Sequence, residues 1–179
     1  MYLPPKTDDQ EWLGVLIAIP EPWVTELTAA RRELGDPAAD CVPAHLTLIP
    51  PTPVNVDERE DVFRHLQHVA SHFGPFRLSL SGTGTFLPTS PVVFLDVTEG
   101  ADACMSLADE LRSGPLDHQA RFPYHPHVTL AHGLPEETLH RARAGWADFE
   151  ASWMVPGFRL DSVDPNGRYN TRALFDFAL

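Results

Sequence analysis

The chain predicts an α+β fold built from two copies of one unit, and three observations carry that expectation. The tetrapeptide His-x-Thr-Leu occurs twice, at His45 in "AHLTLIP" and at His127 in "HPHVTLAHG". The order strand, helix, strand, helix, strand also occurs twice. Finally, the distance from the motif histidine to a strand beginning Phe-Arg-Leu is 31 residues in both copies (76 − 45 and 158 − 127). Chance similarity does not keep such a register, so the spacing predicts an internal duplication with two similar lobes.

In the first copy, the apolar run "LGVLIAI" (Leu13 to Ile19) reads as a strand, and "EPWVTELTAARREL" as an amphipathic helix. "AHLTLI" is the motif strand, placed around residues 44–50. A second helix, "DEREDVFRHLQHVASHF", then leads to the strand "FRLSLSG" at Phe76. The second copy opens with the strand "VVFLDV" (Val92 to Val97) and the helix "ADACMSLADELR". Its motif strand, "HVTLAH", is placed around 127–132, and "PEETLHRARAGWADF" and "FRLDSVD" at Phe158 complete it. The final "TRALFDFAL" follows "DPNGRYN", in which Asn166-Gly167 signals a two-residue hairpin, so the last segment is expected to pair back on the strand at Phe158. "SGTGTFLPTSP" reads as a short connection between strands, and the glycines of "GTG" as an ordinary turn rather than a phosphate cradle. With no linker between the copies, residues 1–179 are read as a single bilobal domain. A chain of 179 residues buries roughly 70% of its unfolded surface without needing staples.

Charge and composition exclude several functions. A net charge of −12, from 13 basic and 25 acidic residues, opposes a surface that grips long nucleic acid through many phosphates at once. Lys6 is the one lysine, and it stands in the N-terminal "PPKTDD". A nucleotidyl-lysine ligase, a Schiff-base enzyme or a Walker-type nucleotide site each needs a placed lysine. Cys41 and Cys104 make no disulfide framework and read as idle thiols in a reducing compartment. The N-terminus has no signal-peptide pattern, and no run approaches the ~18 apolar residues of a membrane span, so a cytoplasmic protein is expected.

The motif itself states a chemistry. Along a strand, side chains alternate faces, so His45 and Thr47 point one way and Leu46 and Leu48 the other; His127 and Thr129 repeat the arrangement. If the lobes are related by an approximate two-fold axis, the two His/Thr pairs meet across a cleft. Two imidazoles serve as general acid and general base near neutral pH, and two hydroxyls hold the oxygens of an anion. A phosphodiester suits this set, and no metal or cofactor is required.

The other histidines do not read as metal ligands. Val62, Phe63, Leu66, Val69 and Phe73 define the buried stripe of their helix, which puts His65, His68 and His72 on a solvated flank. His125, His127 and His132 lack a nearby cysteine or carboxylate, so zinc is not expected there. Tyr124, His125 and His132 are read as lining the cleft. Arg168 and Tyr169 either reach it as anion and base contacts or remain exposed turn residues.

Both tetrapeptides, the "PHVTLA" context, the duplicated order and the closing "GRYNTRALFDFAL" resemble the two-histidine (2H) phosphoesterase superfamily, especially its RNA 2′,3′-cyclic phosphodiesterase or 2′-5′ RNA ligase branch. The resemblance runs from Trp12 to Leu179. It implies two antiparallel β-sheets lining a central cleft with helices on the outside, and metal-free opening of a cyclic phosphate or cleavage of a 2′-5′ bond. It implies His45 as proton donor, His127 as the acceptor that activates water, and Thr47 and Thr129 as phosphate-binding residues. RNA-processing members often carry Arg or Lys directly after the second motif, where this chain has His132; a neutral imidazole weakens an RNA contact there. The expected partner is a small nucleotide or an RNA-terminal phosphodiester, without long duplex nucleic acid or membrane, and the expected form is a monomer. The alternative is a non-catalytic module that holds a phosphate or nucleotide in the same cleft.

Overall fold

The computed structural model describes residues 3–117 and 122–178. Its first unit runs β1 (Gln10–Ala18), α1 (Trp23–Leu34), β2 (His45–Asn55), α2 (Arg59–Ala70) and β3 (Phe76–Thr85). The second runs β4 (Val92–Glu99), α3 (Ala101–Arg112), β5 (His127–His132), α4 (Glu136–Gly145), β6 (Glu150–Val155) and β7 (Gly157–Val163), and β8 (Tyr169–Asp176) closes the chain. The sequence reading omits β6. The strand alternates exposed and buried residues from Glu150 to Val155, a period-two pattern that buries Ala151, Trp153 and Val155.

All eight strands form one curled antiparallel sheet, in the order β6-β3-β4-β5-β2-β1-β7-β8. The two sheets expected from the family resemblance are therefore the four-stranded halves of a single sheet. They join where β2 meets β5 through one paired position, Leu46 with Val128. The halves also differ from the sequence copies, because the third strand of each copy crosses over: β3 pairs with β4 and β6, and β7 with β1 and β8. The physical reason for the first exchange is local. The short connection 86–91 brings β3 back on β4 as neighbours in the chain.

The ladder of β3 also runs on through "SGTGT", which the sequence reading makes a connection. Gly82 takes the left-handed conformation (φ 75°) at a register shift, so the strand bulges there and pairing resumes at Thr83. The β7–β8 hairpin closes at Val163 with Tyr169, which makes residues 164–168 its loop, longer than the two-residue turn that Asn-Gly suggested. Asp164 sets that loop: its Oδ1 accepts from the backbone N–H groups of Asn166 and Arg168.

The helices pack on one face of the sheet. Leu46, Leu48, Val128 and Leu130 of the motif strands enter a core shared with Leu27 of α1, Leu66 of α2 and Leu107 and Leu111 of α3. On α2, Val62, Leu66 and Val69 are buried as expected, but Phe63 is 40% exposed and rests on Phe175. His65 is not solvated either, since its Nε2 meets the Leu111 carbonyl at 3.1 Å and ties α2 to the end of α3. His68 and His72 are exposed, with their rings tilted against each other at 4.4 Å. Cys41 and Cys104 are both free thiols. No described helix is long and apolar enough to cross a membrane.

The approach to the first motif strand is anchored by a buried ion pair. Arg31, near the end of α1, donates from Nε to Asp36 at 2.9 Å and from Nη1 to the Val42 carbonyl at 3.0 Å. Asp36 also accepts from the Ala38 backbone N–H, which starts the 3₁₀ turn Pro37–Asp40. Removing one partner of such a pair leaves the other charge buried and uncompensated. Arg31→Ala is therefore expected to lower the unfolding free energy by about 3–5 kcal/mol, measured by urea denaturation, and a loss below about 1 kcal/mol would contradict the assigned anchor.

Candidate functional site

The seam between β2 and β5 brings the two motifs together. Continuing the register of Leu46 with Val128 by one residue either way sets His45 beside Thr129 and Thr47 beside His127. The leucines and valine of the motif face the helices, while both His/Thr pairs occupy the opposite, helix-free face. The four polar groups thus lie side by side on neighbouring strands of one curled sheet. Among the described residues, neither threonine hydroxyl has a protein hydrogen-bond partner, which leaves both available to an anion.

Each imidazole is fixed in the same way. His45 Nδ1 lies 2.8 Å from the Pro43 carbonyl, and His127 Nδ1 lies 2.6 Å from the His125 carbonyl, in both copies two residues upstream. A carbonyl only accepts, so Nδ1 carries the proton in both rings and Nε2 is presented for proton transfer. Desolvation is the main influence on both groups. It pushes His45 down to about 4, helped by the Arg31 and Arg159 guanidinium groups and the neighbouring His127, against the hydrogen bond to Pro43. His127 is also lowered by burial and by His125, while the His125 carbonyl and the Asp96 carboxylate oppose the shift.

Corresponding positions around the two histidines carry different residues. Opposite His45 on β1 stands Ala18, and opposite Thr47 stands Leu16, whose other neighbour on β7 is Arg159. Opposite His127 on β4 stands Asp96, and opposite Thr129 stands Phe94, whose other neighbour on β3 is Gly84. Arg159 is held by its Nε and Nη2 against the fully buried Asp161, at 3.1 and 3.0 Å. Gly84 leaves room for Phe94, since a Cβ there would come within 2.5 Å of that ring. Phe94 and Phe86 are packed 4.4 Å apart, and His127 lies 5.0 Å from Phe86 and 5.2 Å from Phe94.

The remaining sequence-predicted residues take different places. His125 stacks 6.2 Å from His127 and reaches Asp96 at 3.6 Å. Tyr169 lies 5.7 Å from His45, and burial and the Asp161 carboxylate push its phenol up. Tyr124 turns its hydroxyl onto the Thr47 carbonyl at 2.9 Å, so it braces the first motif strand from the segment before the second; burial raises its phenol as well. Arg168 is an exposed loop residue, and His132 is exposed at the end of β5 opposite Val92. Among the described residues, no group of three His, Cys, Asp or Glu side chains is arranged to hold a metal. Sequence reading missed Arg159, Asp161, Phe86, Phe94 and Asp96. Asp96 had a visible signal, as the one charge within the apolar run "VVFLDV".

A duplicated sheet with a tautomer-matched His/Thr pair from each half defines a phosphoester-handling class of protein. The family model of the 2′-5′ RNA ligase superfamily matches residues 19–164, and the chain belongs to that superfamily of 2H phosphoesterases. It is 28% identical over 122 residues to a Bacillus licheniformis protein named "Putative phosphoesterase", covering 68% of this chain and 72% of that one. A relative of the same description from Bacillus thuringiensis is 26% identical over 167 residues, 91% of this chain and 95% of its own. Among solved structures, Escherichia coli LigT in its apo form superposes with a TM-score of 0.71 at 22% identity, over 96% of this chain and 100% of that one. A Thermus thermophilus structure gives 0.64 at 25%, over 93% and 97%.

The lowered His45 has a sign that can be checked. Between about pH 6.5 and about 4, the unfolded chain takes up a proton at this position that the folded chain refuses, so this contribution to stability is complete above the window and lost as the pH falls through it. In a histidine-resolved NMR titration, His45 is expected to stay neutral until about pH 4. A midpoint at the ordinary value would contradict the desolvated site.

Proposed function

We propose that this protein hydrolyses a 2′,3′-cyclic phosphate or a 2′-5′ phosphodiester of a small nucleotide or RNA end, by acid-base catalysis shared between His45 and His127. Thr47 and Thr129 hold the non-bridging oxygens, and no cofactor takes part. The observation that carries this reading is the matched pair of Nδ1 bonds to Pro43 and His125, which leaves two Nε2 atoms for one proton transfer each. One imidazole removes the proton of the attacking water, and the other protonates the departing oxygen. The hydroxyls stabilise the charge that gathers on phosphorus-bound oxygens between those events.

Two further features support a nucleotide substrate. Phe86 and His125 give aromatic surface beside His127, and Arg159 gives positive charge on the His45 side. Escherichia coli LigT, which shares the fold, has been crystallised with 3′-AMP, ATP and NADP+.

His45→Ala and His127→Ala are each expected to lower turnover of a 2′,3′-cyclic nucleotide by about 10²–10⁴ while leaving the circular dichroism spectrum unchanged; near-full turnover in either variant would sink the mechanism. EDTA is expected to leave the wild-type rate intact. A protein that titrates with the cyclic nucleotide yet returns it unchanged would instead be the non-catalytic binding module. ATP is not expected to create a joining activity. Lys6 is committed to the Thr7 carbonyl and the Trp12 ring, toward the end of β1 away from Ala18 and His45. ATP-dependent ligated product in a gel assay would contradict that exclusion.

A further inference from the structure

A single arginine stands on the helix-free face beside the first motif. Arg159 is the one lysine or arginine carried by β1, β2, β5 and β7. Its neighbour on β1 is Leu16, whose other neighbour is Thr47, so the three side chains form one row across β7, β1 and β2 on one face. Phe158 and Leu160, on either side of Arg159, enter the core under the helices. Two strand spacings separate Arg159 from Thr47, roughly 10 Å between backbones. The seam with β5, where the motif histidines meet, lies beyond Thr47 again.

The guanidinium is drawn along β7 and not across β1 toward that seam. Its Nε and Nη2 both meet Oδ2 of Asp161, two residues farther along the strand and opposite Gly14. A closed arginine–carboxylate fork places two parallel bonds on the two oxygens. Here both bonds converge on one oxygen, and the Oδ1 of the fully buried Asp161 has no protein partner. Among the described residues, Arg159 Nη1 has none either, so its N–H groups are uncommitted. The Asp161 side chain is shut off from solvent, whereas that of Arg159 keeps 20% of its surface exposed. The pair therefore presents donors to the cleft and hides its carboxylate. Arg31, by contrast, is buried and commits Nε to Asp36 and Nη1 to Val42.

We propose that Arg159 forms a second anion subsite, oriented by Asp161, and that the substrate carries a second phosphate one ribose away from the reacting one, on the side of β1 and β7. This rests on the phosphodiesterase reading above and adds the substrate class to it. The offset of Arg159 from the seam suits a further phosphate better than the reacting one. A guanidinium held by its Nε edge keeps its remaining N–H groups in one plane, a geometry that phosphate oxygens match. The 5′-phosphate of a mononucleotide and the neighbouring diester of an RNA end offer the same chemistry at this place. Beyond Arg159 the face is open, because Leu174, opposite it on β8, is 72% exposed. The remainder of a longer substrate leaves by that route. Asp161 acts through Arg159 and is a positioning residue.

Calorimetric titration with product-like nucleotides tests the subsite without turnover. Adenosine 2′,5′-bisphosphate is expected to bind at least about tenfold more tightly than adenosine 2′-phosphate, as hydrogen bonds to a charged group permit. A diadenosine nucleotide ending in a 2′-phosphate and lacking a 5′-phosphate separates the two sources. A gain for it alone assigns the subsite to an RNA end, and a gain for the bisphosphate assigns it to a mononucleotide. Arg159→Ala is expected to bring the affinity ratio to within about twofold of unity. Because that variant leaves Asp161 buried and unpaired, Arg159→Met combined with Asp161→Leu removes both charges and is expected to give the same ratio in a folded protein. Asp161→Asn should lower the ratio by about threefold, since the arginine remains but is held less firmly. A loss of stability alone weakens both ligands alike and leaves the ratio unchanged. Equal affinities or no binding in the wild-type protein, or a ratio that survives in both Arg159 variants, overturns the subsite. An unchanged ratio in Asp161→Asn overturns the part given to Asp161. A wild-type protein that shows the ratio yet turns over no cyclic nucleotide keeps the subsite and overturns the phosphodiesterase reading, so the two failures are distinct.

Discussion

The antiparallel contact of β2 with β5 is narrow, one paired position at Leu46 and Val128, and the site depends on it. Each motif strand is otherwise secured from its far side, β2 by β1 and β5 by β4. The sheet can therefore curl at the seam without losing its ladders. Because Leu46 and Val128 are fully buried against the helices, the alternation of side chains forces the residues on either side of them, His45, Thr47, His127 and Thr129, onto the helix-free face. A slip of one residue would bury the histidines and expose the leucines. The hydrophobic core thus sets the orientation of the reactive groups.

The elements around the seam hold it from several directions. Arg31 and Asp36 fix the turn that delivers His45, Tyr124 reaches from the approach to β5 to the Thr47 carbonyl, and the Pro43 and His125 carbonyls hold each ring in one tautomer. Tyr124 links the two motifs directly, since its backbone belongs to the approach to one and its hydroxyl bonds to the other. Such bonds hold each imidazole in one orientation, as the proposed acid-base chemistry requires.

Duplication produces a symmetric frame, and substitutions within it make the two halves unlike. Ala18 against Asp96, and Leu16 against Phe94, are pairs at corresponding places in β1 and β4, yet one member of each is inert and the other is charged or aromatic. The exchange of β3 and β7 between halves adds to the contrast. It brings Arg159 from the second sequence copy to the first motif's half and Gly84 from the first copy to the second's. The polarity of the cleft arises from those few residues.

The motifs, their faces, the duplication and the pairing of the last strand with β7 were all legible in the chain, because side-chain alternation and repeat spacing are local properties that survive without coordinates. The crossing of β3 and β7 was not, since strand partners are chosen by connection length and shared core rather than by the copy a strand belongs to. Tertiary structure also decided the company of each histidine. Arg159 is more than a hundred residues from His45 in sequence and reaches it only through two strand pairings, and Phe94 approaches His127 over β3 only where Gly84 lacks a side chain. The sequence by itself determined which His and Thr groups share one face; the long-range pairing of strands decided which charges and rings surround each one, and local patterns carry no record of that pairing.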